Sequence, residues 1–304
     1  MATAVPVLTK PEAVAPEAEQ HALRQAALAV SGNRKALAGF GLIAMFALVA
    51  VFAPFIAPYD PNKLAFAQLL QPSPQHLLGT TGVGQDIFSQ LIWGTRESLA
   101  LAIIAGVMAT MISVIVGVSA AYLGGLWDHF LNLFTDVFLV IPTLPLMIII
   151  AAYAQNRGLG VLIGVIVVTG WSYGARQLRS QALALRNREF LEAARVRGER
   201  PSYIIVFEVL PNMTSLIVAI FLGAALYAVL AAAVLQFIGL GDTNDLSWGT
   251  MLFWAEHNGA LLAGAPWWVL APGICIALLG AAFALVNYAF DELNNPALRQ
   301  VKRS

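Results

Sequence analysis

Six stretches of this chain are too long and too uniformly apolar for the interior of a water-soluble domain: about 36–57, 98–123, 131–153, 159–176, 213–238 and 267–290. A helix needs roughly 20 mainly apolar residues to cross about 30 Å of hydrocarbon. Inside hydrocarbon every backbone N–H and C=O must be satisfied within the chain, so such segments form helices. The expected fold class is all-α, a polytopic membrane protein with six transmembrane helices. Composition agrees, since 59% of residues are hydrophobic and only 11% are charged. Trp171 with Tyr173, and Trp267 and Trp268 with Tyr288, read as interfacial belts near span ends. Pro142, Pro145 and Pro272 fall inside spans and are expected to bend them.

Charge placement orients the chain. With six crossings, fourteen of the 17 Lys and Arg residues fall on one side and only Lys63, Arg96 and Arg157 on the other. The positive-inside rule then puts both termini in the cytoplasm. Residues 1–35, rich in Ala, Pro and Glu, read as a disordered cytoplasmic tail. No apolar core precedes residue 36, so they are not read as a secretory signal. Residues 58–97 and about 239–266 are outer segments, 177–212 is a large cytoplasmic loop, and 291–304 is a second cytoplasmic tail.

Catalytic chemistry has no visible foothold. His21, His76, His129 and His257 are scattered without metal-ligand spacing, and no GxSxG or GxxxxGK[ST] pattern occurs. The glycines of "TTGVGQD" (80–86) and "GLGVLIG" (158–164) read as turn and close-packing positions. Cys275 lies in an apolar run and reads as a small buried thiol. Asp136 is the most membrane-embedded ionisable residue; it reads as a structural carboxylate paired with Arg176 or Arg179, the alternative being a place in a pathway. Asn287 and Asp291 read as interface anchors closing the last span. No metal, bound cofactor or nucleic-acid partner is expected.

One hydrophilic stretch stands apart, "REFLEAARVRGERPSYIIVFEVLPN" (188–212), where seven of the first thirteen residues are charged. Asn187 offers an N-cap, Gly198 a C-terminal stop, and Pro201 follows. The spacing predicts a helix over 188–198 with an apolar surface from Phe190, Leu191, Ala193, Ala194 and Val196. Glu192 lies one turn from Arg188 and Arg195, so intrahelical pairing is available. So short a helix is marginal alone in water and is expected to dock, with small Ala193 and Ala194 admitting another backbone. The bland alternative is a positive-inside loop touching anionic lipid.

These residues resemble the EAA motif of bacterial ABC-importer permeases. Glu192-Ala193-Ala194 is followed by Gly198, and Leu210-Pro211 falls at the matching distance, with Glu208 where the pattern has Ile. The stretches "HLLGTTGVGQDIFSQLIWGTRESL" (76–99), "FIGLGDTNDLSWGTML" (237–252) and "FDELNNPALR" (290–299) are similar to segments of the oligopeptide, dipeptide and nickel permease subgroup, second (C-type) subunit. Gln85 and Gln90 stand in place of its usual arginines. The resemblance implies the type I ABC-importer permease fold in the bacterial cytoplasmic membrane. It implies that 188–198 is a coupling helix, with Glu189, Glu192, Ala193, Ala194, Arg195, Gly198, Leu210 and Pro211 acting on a separate ATPase. Implied partners are one or two ATP-binding subunits that hold ATP and Mg, a second permease, an extracytoplasmic solute-binding protein, membrane lipid and a peptide substrate. The chain itself is then not an enzyme. A nickel-chelate permease is the alternative within the class, and a self-contained secondary transporter or channel the alternative outside it.

Overall fold

The structure, a computed structural model, describes residues 33–294, with side chains described through residue 290. The 1–32 part of the N-terminal tail and the 295–304 part of the C-terminal tail lie outside the described residues. Nine principal helices carry the fold: α1 Arg34–Ile56, α2 Ile87–Leu123, α3 Gly125–Val140, α4 Thr143–Tyr153, α5 Leu159–Leu185, α6 Glu189–Val196, α7 Thr214–Phe237, α8 Trp248–His257 and α9 Pro266–Asn294. Between α6 and α7 runs a composite bridge: α-helical Pro201–Tyr203, π-helical Ile204–Val209 and a 3-10 turn Pro211–Met213.

Among the described residues, α1, α2, α5, α7 and α9 are long and apolar enough to cross a membrane. The α3–α4 pair makes a sixth only if counted together, because its two helices meet at 90°. The bend expected from the prolines of the 131–153 span is thus a full break into two helices. Pro142 has no N–H to give and holds Ile141 extended at φ −68°, ψ 128°, so α3 stops there and α4 restarts. Pro145 sits harmlessly in the first turn of α4, whereas Pro272 and Pro54 lie within α9 and α1.

Two further boundaries differ. Helix α2 starts eleven residues before the apolar run at 98, because Asp86 caps it by accepting from the Ser89 N–H at 2.8 Å. Helix α5 runs on to Leu185, nine residues past 176, its last turns amphipathic instead of apolar. Trp171 is consequently mid-helix and 3% exposed, with ring centroids 5.7 and 5.4 Å from Phe134 and Phe138; it is no belt residue. Trp268 is likewise buried, while Tyr288 stays exposed beneath Lys35 of α1 at 4.1 Å.

Helix α2 is the hub, packed most extensively on α5 and then on α7. Small residues make that possible. A Cβ on Gly117 would lie 2.3 Å from the Ala175 carbonyl oxygen, and one on Gly106 would press on the Ala225 backbone at 3.1 Å. Close backbone approach of this kind is how helices associate where lipid removes the hydrophobic drive between them. The buried core falls into three groups. One joins α1, α2, α7, α8 and α9 around Phe46, Trp248, Trp268 and Phe283. A second joins α2, α4, α5 and α7 around Leu101, Met147 and Ile166. The third lies under α6.

The 57–86 loop is ordered by a buried hub at Asp86. Its carboxylate accepts from Ser89 Oγ at 2.7 Å and meets His76 Nδ1 at 2.9 Å, and His76 packs on Phe66. Gly84, at φ +81° and with the Phe66 carbonyl oxygen 2.3 Å from where a Cβ would be, is a turn glycine rather than part of a phosphate loop.

Candidate functional site

Helix α6 is eight residues long, from Glu189 to Val196. Its N-cap is Arg188 in extended conformation without a side-chain bond, which corrects the assignment of that place to Asn187 one residue earlier. Glu189 and Glu192 lie in the first turn, where carboxylates favour the helix dipole. At the other end Gly198 adopts φ +77°; its N–H donates to the Arg195 carbonyl at 2.9 Å and the Glu199 N–H to that of Ala194 at 3.2 Å. This is a Schellman turn, which needs a left-handed residue after the last helical one.

The helix has two faces. Leu191 and Ala194 are fully buried, packed with Val118 and Ala121 of α2, Leu178 and Ala182 of α5, and Ile204 and Val209 of the bridge. Glu192 and Ala193 are exposed on the opposite side, with Phe190 37% and Val196 88% exposed. The two alanines expected to admit a partner thus separate: Ala193 is outside, and Ala194 seats the helix on its own chain. The pairing considered for Glu192 does not form, because Arg195 turns back. Its Nη2 donates to the Arg186 carbonyl at 3.0 Å and its guanidinium lies 5.4 Å from the Tyr122 ring.

Leu210 and Pro211 belong to the bridge leading into α7. The Leu210 N–H donates to the Ile205 carbonyl five residues back at 2.9 Å, closing the π-helical segment, and Pro211 opens the 3-10 turn. Glu208, standing where the EAA pattern has Ile, faces Arg197 Nη2 at 3.5 Å, and Arg197 also lies 3.8 Å from Glu199. The Arg197 side chain is 54% exposed, so the pair is worth at most about 1 kcal/mol. Glu208→Ile is accordingly expected to move the Tm of the purified protein by less than roughly 4 °C. A larger fall in a thermal melt would give that pair a structural weight its exposure denies.

Charged side chains of α3 and α5 pair across the bundle. Arg176 of α5 bonds Asp136 of α3 through Nη2 and Oδ1. Arg179 instead takes Asp128, with Nε and Nη2 donating to the two carboxylate oxygens at 2.6 and 2.7 Å. Asp128 was invisible in the sequence because nothing local marks a partner fifty-one residues away in the first turn of α3. At the opposite end of the bundle from α6, Asn62, Gln85, Gln90, Asp245, Trp254 and Trp268 line a cavity of about 220 Å³. Gln90 Nε2 donates to Gln85 Oε1 at 2.9 Å there. Burial, then the Asp242 carboxylate, push the Asp245 carboxyl above its ordinary range. No group of three or more His, Cys, Asp or Glu among the described residues is arranged to hold a metal.

Comparison with known proteins gives this geometry a context. The family described as binding-protein-dependent transport system inner membrane component matches residues 113–300. The N-terminal TM domain of oligopeptide transport permease C matches residues 23–73. The chain is 31% identical over 277 residues to the oligopeptide transport system permease protein OppC of Mycobacterium tuberculosis, covering 89% of this chain and 93% of that one. It is 33% identical over 279 residues to the dipeptide transport system permease protein DppC of Haemophilus influenzae, covering 88% and 92%. It is 32% identical over 282 residues to OppC of Bacillus subtilis, covering 91% and 90%.

Proposed function

The chain belongs to the family of binding-protein-dependent transport system inner membrane components, and on that premise we propose that it is one of two permease subunits of an ATP-driven importer of di- and oligopeptides. Relatives named for oligopeptide and dipeptide transport favour that cargo over a nickel chelate. Both termini and α6 lie on the cytoplasmic side in this reading, as the Lys and Arg distribution requires. The 57–86 and 238–265 segments then face a solute-binding protein outside.

One observation carries the mechanism: α6 is held by Leu191 and Ala194 on its own chain while its other face is left bare. Phe190, Glu192, Ala193 and Val196 form the surface that seats in a separate ATPase subunit. Glu189 at the first turn adds negative charge beside it. When ATP closes that partner, the seat moves. Leu191 and Ala194 pass the motion to α2 and α5, and Gly198, Leu210 and Pro211 pass it through the bridge to α7. Arg195 acts as a clamp for α6 instead of a contact. The motion is a rigid-body switch of the domain-closure type, and ATP and Mg chemistry stays in the partner.

Glu192→Arg inverts a charge on the outward face without touching the seat. Gly198→Trp adds bulk on the open side of the turn, where a Cβ meets no neighbour, and strains it because φ there is +77°. Each is expected to leave the complex assembled with its second permease and ATPases. Solute-binding-protein-stimulated ATP hydrolysis and peptide accumulation in proteoliposomes should both fall at least about tenfold, roughly 1.4 kcal/mol of coupling. Wild-type values of both would refute the coupling role of α6.

A further inference from the structure

Within the membrane-spanning part of the bundle, α2, the α3–α4 break, α5, α7 and α9 line an open cavity of about 580 Å³. Its polar lining includes Thr143, Ser172, Tyr173, Gln177, Tyr227 and Asn287, and no charged residue lines it. Tyr173 is 66% exposed, yet it lies about 21 Å along α5 from the helix start at 1.5 Å per residue. Tyr173, Gln177 and Asn287 make no hydrogen bond among the described residues, and Asn287 Oδ1 is shut away from the surface without a partner.

A polar side chain left unpaired against hydrocarbon costs several kcal/mol. This face of α5 therefore does not front lipid. Another side of the same helix does: Val168 is 45% exposed there, like the apolar strip of Met45, Leu48 and Phe52 on α1. The Arg176–Asp136 pair, half-exposed on both sides, flanks the cavity one residue from Gln177 and two from Phe138. Charges so placed within spans face water or protein.

We propose that this cavity is a recognition site for the peptide backbone in transit, a proposal that rests on the import reading above. Hydroxyls and carboxamides each offer both a donor and an acceptor, which matches the repeating N–H and C=O of any peptide. Amide groups that lose water on the way through need replacement partners. A wall without charge supplies them while treating acidic, basic and neutral side chains alike.

The test uses the whole complex in proteoliposomes with Cys275→Ala as background. Tyr173→Cys and Gln177→Cys are exposed to a membrane-impermeant trimethylammonium methanethiosulfonate, with Val168→Cys and Leu230→Cys as lipid-facing references. The cavity positions should react at least ten times faster, to the order of magnitude set by an aqueous against a lipid surface. The Gln177→Leu, Asn287→Leu double variant removes two hydrogen-bonding groups and should slow uptake of trialanine, trilysine and triglutamate alike by about tenfold. Equal labelling rates in a complex that still accumulates peptide would overturn the cavity assignment alone. A loss confined to trilysine or to triglutamate would overturn backbone recognition. Wild-type complex that accumulates none of the three peptides would overturn the import reading beneath both.

Discussion

Gly117→Val is expected to collapse the yield of folded protein or lower its Tm by roughly 10 °C. A Cβ at this position would sit 2.3 Å from the Ala175 carbonyl oxygen, a backbone atom that cannot swing aside. Relief requires α2 and α5 to part along the most extensive helix pair in the fold. Overpacking typically costs 1–3 kcal/mol and more where backbone must move, and about 3 kcal/mol corresponds to that shift in a chain of this size. Gly164→Ala on α5 is the control. Its Cβ would meet nothing within 4 Å, so the substitution should be neutral or stabilise by up to about 1 kcal/mol. Thermal melts in detergent decide the matter; a Gly117→Val Tm within about 2 °C of wild type would refute the close-packed seam.

Leu191→Asp should detach α6 from the body of the protein. The side chain is fully buried in the group formed by α2, α5 and the bridge, and an unpaired carboxylate there costs several kcal/mol. An eight-residue helix cannot persist undocked in water. Trypsin should then cut after Arg195 and Arg197 at least about tenfold faster, the factor expected for each 1.4 kcal/mol lost from docking. Peptide accumulation should fail with it. Val196→Asn, on the exposed face, should leave the cleavage rate at the wild-type value, because that side chain is 88% exposed. Equal cleavage of Leu191→Asp and Val196→Asn would show that α6 does not have the inner and outer faces described.

The apolar stretches were legible because hydrocarbon thickness imposes a length that sequence must meet. Their ends were less so. Helix α5 continues past 176 because Leu178 and Ala182 keep an apolar side toward α2 and α6 while Arg179 and Gln181 break the hydropathy signal. That misplaced end made Trp171 look interfacial. The α6 stretch could be read as a capped helix, since Gly198 and Pro201 are local signals. Which of Ala193 and Ala194 faces outward could not, because that depends on where α2 and α5 lie. Asn287 was read as an anchor for the same reason: its surroundings come from α7, with Gly223 opposite, and no local pattern announces them.

The right-angle break at Ile141–Pro142 also bears on the parity of the crossings. With five straight crossings, no orientation gathers more than twelve of the 17 Lys and Arg residues on one side. With the bent pair as a sixth crossing, fourteen gather there, so charge favours an even number. Yet α4 runs at 90° to α3, so the two cannot both stand along the membrane normal, and the 16 residues of α3 alone reach only about 24 Å. Against a hydrocarbon thickness of about 30 Å, that crossing is short. Lipid beside α3 and α4 is expected to be drawn thinner than beside α2 or α9, an asymmetry around the protein's perimeter.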